Sequence, residues 1–277
     1  MKRLQYPIYS TEEVFNTCIE TIQDVNFKGR LENGLQFIVD AKDDYETKAP
    51  QTLLHTIKVS NTVNNNITKE EMTKVYNKLL KNKNARNYYD DMMNSVPHDL
   101  CPLCNQRIVD SMEHHLPKSK YPVFALTTIN MFPACLSCNK KKSTFIPENL
   151  GEEPIHPYFD NFDDGIWLGA ELKEIGSGII DFTLLKPHTW SDIKFERMEN
   201  HYEKFDIKKL YLSHSAVEYN SIKPHMEQLF RIRGANEVRF HLETAHKSKI
   251  SQDINSWQSA FYSALLNSEW FINGGFF

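Results

Sequence analysis

Two pairs of cysteines carry the clearest chemistry in this sequence. Cys101 and Cys104 are separated by two residues, Cys135 and Cys138 repeat that spacing, and 30 residues lie between the pairs. Each pair can present two sulfurs to one tetrahedral Zn²⁺, and two pairs complete its coordination shell. The pattern therefore predicts a structural zinc site, with buried or reactive thiols as the alternative. The fifth cysteine, Cys18, lies on an apolar helical stripe and is predicted to belong to a core.

A dense group of polar residues lies between and after the two cysteine pairs. The run at 113–118 reads Glu-His-His-Leu-Pro-Lys, Asn130 follows it, and Asn139 comes directly after the last cysteine. These residues resemble the HNH endonuclease superfamily. In that family an acidic residue and His precede a Pro, an Asn follows, and a C-x2-C pair is followed by Asn and a Lys. The resemblance extends from Cys101 to about Phe145 and does not cover the flanks.

The resemblance implies a small ββα-metal fold that hydrolyses phosphodiester bonds. Pro117 sets the register, so that His114, three residues before it, corresponds to the general base that takes a proton from water. Glu113 and Asn139 correspond to the ligands of one catalytic Mg²⁺ or Mn²⁺, which prefers oxygen donors. Asn130 corresponds to the residue that ties down the loop and orients the base. The family more often has Asp at the position of Glu113.

Two alternatives stay open for the histidines of this region. The paired histidines also fit a colicin-type register, in which His115 is the base and His114 binds the metal. The second alternative concerns His156, in the run His-Pro-Tyr at 156–158. His156 either completes the site or contacts DNA, or else the aromatic run packs a loop onto the domain.

Four lysines near these residues are candidates for phosphate contacts: Lys118, Lys120, Lys140 and Lys142. Between residues 101 and 145 there are six basic residues against two acidic ones, whereas the whole chain has a net charge of −4. An anionic ligand is therefore expected at this segment alone, and weak non-specific affinity for DNA would leave targeting to a partner. The alternative is that the lysines form a solvated helix face.

Composition excludes several classes of protein. The 277 residues are 40% hydrophobic and 25% charged, which is ordinary for a folded chain and unlike disordered, collagenous or disulfide-framework proteins. Mean hydropathy is −0.52, and no apolar run approaches the roughly 18 residues of a membrane span. Residues 1–7 are basic without an apolar stretch behind them, so we expect no secretory signal. These features predict a cytoplasmic protein with no membrane contact.

The elements that position the candidate site fall into three predicted regions. Residues 1–97 are predicted to be helical, 98–160 to form the zinc-stabilised core, and 161–277 to contain short strands followed by helices. The expected fold class is α+β: mainly helical arms around a small treble-clef-like ββα-metal core, with a short β-hairpin after it.

Local signals place several of these elements. Capping boxes at 10–13 and 68–71 predict helix starts, and further helices are expected near 29–45, 51–58 and 84–95. Three consecutive asparagines within 61–66 indicate a turn. Residues 166–168 and 178–185 read as strands, with Gly176 and Gly178 indicating the turn between them. Residues 191–267 read as helical, with breaks expected at 213–215 and at Pro224.

The function that this resemblance implies is a metal-dependent HNH endonuclease that cleaves DNA. The chain is similar to stand-alone HNH nucleases of bacterial anti-phage systems, Septu-like or Zorya-like, in which the nuclease works beside an ATPase subunit. That analogy implies an ATPase as protein partner. Two other functions compete: a non-catalytic zinc module that binds nucleic acid or protein, and an RNase of the same fold.

Overall fold

The chain is an α+β protein in which helices dominate and the strands form small antiparallel hairpins. The structure, a computed structural model, describes residues 2–173 and 178–277. The helices are α1 (Thr11–Glu20), α2 (Val25–Lys48), α3 (Lys69–Lys81), α4 (Lys83–Asn94), α5 (Leu136–Lys142), α6 (Asp192–Lys204), α7 (Ile207–Arg233), α8 (Ala235–Gln252), α9 (Trp257–Leu266) and α10 (Glu269–Ile272). The strands are β1 (Thr62–Val63), β2 (Ile67–Thr68), β3 (Ser111–His114), β4 (Met131–Ala134), β5 (Leu168–Lys173) and β6 (Ile179–Leu184).

Two compact units divide the chain. The first contains Met1–Asn161 together with Glu196–Phe205, and the second contains Phe162–Phe195 together with Asp206–Phe277. All the candidate site residues belong to the first unit.

The core of the first unit joins α1, α2, α3 and α4 to two hairpins, β1–β2 and β3–β4. Cys18 and Leu79 are fully buried in this core, which also contains Met112 of β3 and Met131 of β4. The β3–β4 hairpin therefore presents one face to the helices. The prediction that Cys18 is a core residue is confirmed, and burial raises the pKa of its thiol to about 12.

Side-chain caps start α1 and α3 where the sequence predicts. The Ser10 hydroxyl accepts a hydrogen bond from the backbone N–H of Glu13 at 3.1 Å. Thr68 and Glu71 form a complete capping box at the start of α3, in which each side chain accepts from the other residue's backbone N–H. Such caps satisfy N–H groups that the first helical turn leaves without partners.

The asparagine-rich segment turns the chain between β1 and β2. Asn64 and Asn65 have φ values of 47° and 52°, a left-handed conformation that Asn tolerates well. The helix predicted near 51–58 is wrong: two 3₁₀ turns, Ala49–Gln51 and Leu54–Thr56, stand there instead. Pro50 and the left-handed Thr52 interrupt any longer helix.

In the second unit, β5 and β6 form the antiparallel hairpin that the sequence predicts after the core. The first of its strands starts at Leu168 and runs to Lys173, so the predicted strand at 166–168 was displaced toward the N-terminus. Gly178 has a φ of +64°, which suits a turn, whereas Gly176 lies outside the described residues.

The predicted breaks at 213–215 and at Pro224 are wrong, because α7 is continuous from Ile207 to Arg233. Buried residues lie on both sides of the proline, among them Tyr219 and Met226, and their packing outweighs the lost backbone hydrogen bond. The helix ends at Gly234, whose φ of +75° is favourable for glycine.

Candidate functional site

The first cysteine pair lies in a tight knuckle of backbone. The N–H of Cys101 donates to the oxygen of Arg107 at 2.8 Å, and the N–H of Asn105 donates to the oxygen of Cys101 at 2.7 Å. Asn105 has a left-handed φ of 50°, which closes the turn around Cys104. Both sulfurs are therefore held by backbone geometry in a loop that has no helix or strand of its own.

The second pair lies at the start of α5. Cys135 is the N-cap of that helix, and its sulfur accepts a hydrogen bond from the N–H of Cys138 at 3.4 Å. The sulfurs of Cys104 and Cys135 are 4.0 Å apart. The knuckle that carries Cys104 and the N-terminus of α5 thus hold their thiols close together.

All four cysteines that the sequence pairs come together in one cluster that could hold a zinc ion. Their ligand atoms lie within 4.8 Å of one another, and all four residues are buried. Bonds of about 2.3 Å to a tetrahedral Zn²⁺ place the sulfurs about 3.8 Å apart, so a small contraction would complete the shell. A zinc ion held by four sulfurs would have no open position for water, as in structural zinc sites.

The hairpin of β3 and β4 directly precedes α5, and its two faces carry different residues. Ser111 pairs with Ala134 and His114 with Met131 in an antiparallel register. Because side chains alternate along a strand, Ser111 and Glu113 share one face and Met112 and His114 share the other. The α5 helix packs on the first of these faces.

Asn139 and Lys142 attach α5 to β3. The side-chain amide of Asn139 donates to Oγ of Ser111 and to the oxygen of Met112, both at 3.3 Å. The ammonium of Lys142 donates to Oε1 of Glu113 at 2.8 Å and to the backbone oxygen of His114 at 2.7 Å. The α5 helix therefore carries Asn139 and covers Glu113 of β3.

Glu113 and Lys142 form a buried ion pair, with side-chain exposures of 7% and 1%. Burial raises the pKa of the Glu113 carboxyl and lowers the pKa of the Lys142 ammonium. The attraction between the two charges opposes both shifts. Lys142, which the resemblance assigns to phosphate contact, thus has its charge directed at Glu113 in this structure.

His114 points away from α5, into the face of the hairpin that meets the helices. Its Nε2 donates to the backbone oxygen of Ala125 at 3.0 Å, and its ring lies against that of Tyr76 with centroids 4.9 Å apart. Burial, followed by the charge of Lys118, lowers the pKa of His114 to about 3. The imidazole is therefore neutral at physiological pH. Because a carbonyl can only accept, the hydrogen is on Nε2 and the lone pair is on Nδ1.

Asn130 connects the loop after β3 to the start of β4. Its Oδ1 accepts from the N–H of Leu116 at 2.7 Å, and its Nδ2 donates to the oxygens of Leu116 and Phe124 at 3.1 and 3.2 Å. Phe124 precedes Ala125, whose oxygen receives the His114 hydrogen bond. The side chain of Asn130 therefore holds the segment that orients the imidazole.

His115 and His156 come together, but away from the partners of His114. Their ring centroids are 4.2 Å apart, and both side chains are buried. His156 contacts the hydroxyl of Tyr45 through Nε2 at 2.8 Å and accepts the N–H of Tyr158 at Nδ1. Nδ1 of His115 has no hydrogen-bond partner among the described residues.

The remaining candidate lysines differ in exposure. Lys120 and Lys140 are exposed, whereas Lys118 is partly buried with its ammonium 4.7 Å above the ring of Tyr76. Lys118 and the His114 ring thus both pack against Tyr76.

Sequence reasoning missed two groups that shape this site. The oxygen of Ala125 has no side-chain signature, so no pattern could identify it as the partner of His114. Arg197 forms a two-point ion pair with Asp160, at 2.9 and 2.6 Å, and donates to the oxygens of Glu153 and Pro154. It thereby anchors the segment that carries His156. Nothing near Arg197 in the sequence indicates this long-range contact.

The chain is similar to a curated phage protein. The chain is 25% identical over 302 residues to Protein ea31 of Escherichia phage lambda, and the alignment takes in 99% of this chain and 100% of that protein. No protein-family model matches the chain, and no solved structure does. In the described ranges, every helix is too short or too polar to cross a lipid bilayer.

Proposed function

We propose that the chain is a metal-dependent endonuclease of the HNH type that hydrolyses phosphodiester bonds in DNA. The observation that supports the proposal is the β3–β4–α5 segment, which four clustered cysteines close. Glu113 and His114 lie in its hairpin, and Asn139 lies in its helix. These are the residues that the family resemblance assigns to catalysis.

To act as the general base, His114 must become accessible to water and to the phosphate, because its imidazole is buried on the face of β3 opposite Glu113 and its pKa is lowered to about 3. Its Nε2 hydrogen is engaged by Ala125, so the lone pair on Nδ1 is the one that can accept a proton. In the proposed reaction a water oxygen attacks phosphorus, the water proton passes to Nδ1, and the phosphorus–oxygen bond to the leaving group breaks. The leaving oxygen then takes a proton from solvent, which balances the step.

The donor types that β3 and α5 supply fit a hard divalent cation. Glu113 offers a carboxylate and Asn139 an amide oxygen, the donor types that Mg²⁺ and Mn²⁺ prefer. Within the described residues nothing donates a hydrogen bond to Oδ1 of Asn139, which leaves that oxygen available. A bound cation would supply positive charge to the scissile phosphate. Since Lys142 already contacts Glu113, cation binding requires either that the carboxylate serve both partners or that Lys142 move.

The competing function is a non-catalytic zinc module that binds nucleic acid or protein. The burial of His114 and the ion pair between Glu113 and Lys142 favour it, because both leave little of the proposed site in contact with solvent. An RNase of the same fold is the third candidate. A role in anti-phage defence beside an ATPase subunit rests on the family analogy alone, and co-purification with genomic neighbours tests it.

A nicking assay on supercoiled plasmid, with Mg²⁺ or Mn²⁺, tests the proposal. We expect the wild type to nick the plasmid, and His114→Ala and Asn139→Ala to lose most of that activity. His188→Ala, which changes an exposed histidine of the second unit, serves as the control. Equal nicking by all four proteins would remove the catalytic assignment. No nicking by the wild type would favour the binding module, and cleavage of RNA alone would favour the RNase.

A further inference from the structure

The outer face of α3 carries a row of lysines. Lys74, Lys78 and Lys81 recur at intervals of four and three residues, so they share one side of the helix. The buried residues of α3 lie on the opposite side: Met72, Val75, Tyr76 and Leu79. We call the three lysines the α3 lysine face.

The α3 lysine face borders a hollow of about 460 Å³ that contains no acidic residue. Besides the three lysines, Thr21, Asn77 and Asn82 line it. The amide of Asn82 donates to Oγ1 of Thr21 at 3.3 Å, which attaches the end of α1 to the end of α3. The walls therefore offer neutral polar groups and positive charge.

The lysines of this face differ from many others in the chain. Lys42, Lys48 and Lys194 each contact a carboxylate within 3.0 Å. In the described part of the chain, no carboxylate lies within ion-pair distance of the three lysines of the α3 lysine face. A cluster of unpaired cations on a protein with a net charge of −4 points to an anionic partner outside the chain.

The length of the row matches the spacing of charges on DNA. Seven residues of helix separate Lys74 from Lys81, which corresponds to about 10.5 Å at 1.5 Å per residue. Phosphates of one DNA strand follow one another at about 3.4 Å along the axis, so the row spans about three of them. Lysine ammonium groups are point charges, which suits contacts with phosphate rather than readout of bases.

The same helix also borders the proposed base. Tyr76, on the inner side of α3, packs against the ring of His114, and Lys118 lies above Tyr76. With side chains a helix is about 10–12 Å across, so the lysine face and the imidazole lie on opposite sides of one helix. DNA held by these lysines would be held by the element that supports His114.

We propose that the α3 lysine face binds the phosphate backbone of duplex DNA. This inference rests on the proposed function, which identifies DNA as the partner. It places a contact with DNA outside the β3–β4–α5 segment. The contact is independent of sequence, because it is made to phosphates.

The salt dependence of binding tests the inference. The full chain would bind a fluorescent 20-base-pair duplex without added divalent cation, so that binding is measured apart from cleavage. Each phosphate contact contributes about 0.9 to the slope of log K against log salt. We expect the combined variant Lys74→Gln, Lys78→Gln and Lys81→Gln to lower that slope by about 2.7. Between 50 and 200 mM salt, the wild type would then lose about 40-fold more affinity than the variant.

A charge-matched control removes three lysines of the second unit, Lys209→Gln, Lys247→Gln and Lys249→Gln. It should keep the wild-type slope. Equal slopes for the two combined variants, no duplex binding by the wild type, or tighter binding to RNA than to DNA would each overturn the inference. A wild type that binds with the expected slope but nicks no plasmid would leave the inference standing and remove the proposed function. A wild type that nicks plasmid, together with equal slopes for the two combined variants, would overturn the inference and leave the proposed function standing.

Discussion

The ammonium of Lys142 lies 2.8 Å from Oε1 of Glu113 and 2.7 Å from the backbone oxygen of His114. One side chain on α5 therefore neutralises a buried carboxylate and holds the end of β3. The pair occupies the place where the resemblance expects a metal ligand and a phosphate contact.

Removing Lys142 should strongly destabilise the chain. Lys142→Met leaves Glu113 buried without a partner, and breaking a buried pair on one side costs about 3–5 kcal/mol. We expect that loss in the free energy of unfolding measured with urea. The double variant Lys142→Met with Glu113→Gln should recover part of it, because no unpaired charge remains.

Lys140→Met is the matched control, because Lys140 is exposed on the same helix. Lys140→Met should change the free energy of unfolding by no more than about 0.5 kcal/mol. Additive losses in the double variant would show that Lys142 and Glu113 are not coupled.

The four-cysteine cluster should bind one equivalent of zinc, and the unit β3–β4–α5 should depend on it. Cys135→Ser removes one ligand but keeps a side chain that can cap α5, so we expect loss of the metal by elemental analysis and, because the metal is lost, loss of α5 protection from hydrogen exchange. Cys18→Ala is the control, because Cys18 is a buried cysteine outside the cluster. Cys18→Ala should retain the metal. A wild-type protein without zinc would contradict the prediction.

Local signals predicted the parts of the fold that neighbouring residues decide. Caps at Ser10 and Thr68 and the C-x2-C spacing need only a few consecutive residues, and each appears where the sequence places it. The direction in which the Lys142 side chain points depends instead on where β3 packs against α5. In the sequence, the three lysines at 140–142 read as one basic run, and nothing local separates the buried lysine from its exposed neighbour Lys140.

Asn130 should stabilise the loop that orients His114. Asn130→Ala leaves the buried N–H of Leu116 and two backbone oxygens without their partner, which costs about 1–3 kcal/mol for each unsatisfied group. We expect reduced stability and faster amide exchange at Leu116. Asn94→Ala, at an exposed position at the end of α4, should change neither quantity. Unchanged exchange at Leu116 in Asn130→Ala would contradict the assignment.

The ion pair between Arg30 and Glu71 should make stability depend on acid pH. The hydrogen bond from Arg30 lowers the pKa of Glu71 from 4.5 to about 2 in the folded chain. The stabilisation is therefore complete above pH 4.5 and is lost as the pH falls toward 2. The difference in unfolding free energy between wild type and Glu71→Gln should shrink across that window. Glu70→Gln removes an exposed charge from the next residue and should show no such window.

Pro224 lies inside α7, where the sequence predicts a break and the structure has a continuous helix. A proline in a helix interior lacks the N–H for one backbone hydrogen bond and costs up to about 3 kcal/mol relative to alanine. Pro224→Ala should therefore raise the free energy of unfolding, because the helix that gains the bond is already formed around buried Tyr219 and Met226. Thermal unfolding measures the gain, and Ser221→Ala, one turn earlier at an exposed position, should give a much smaller one. A loss of stability in Pro224→Ala would contradict the prediction.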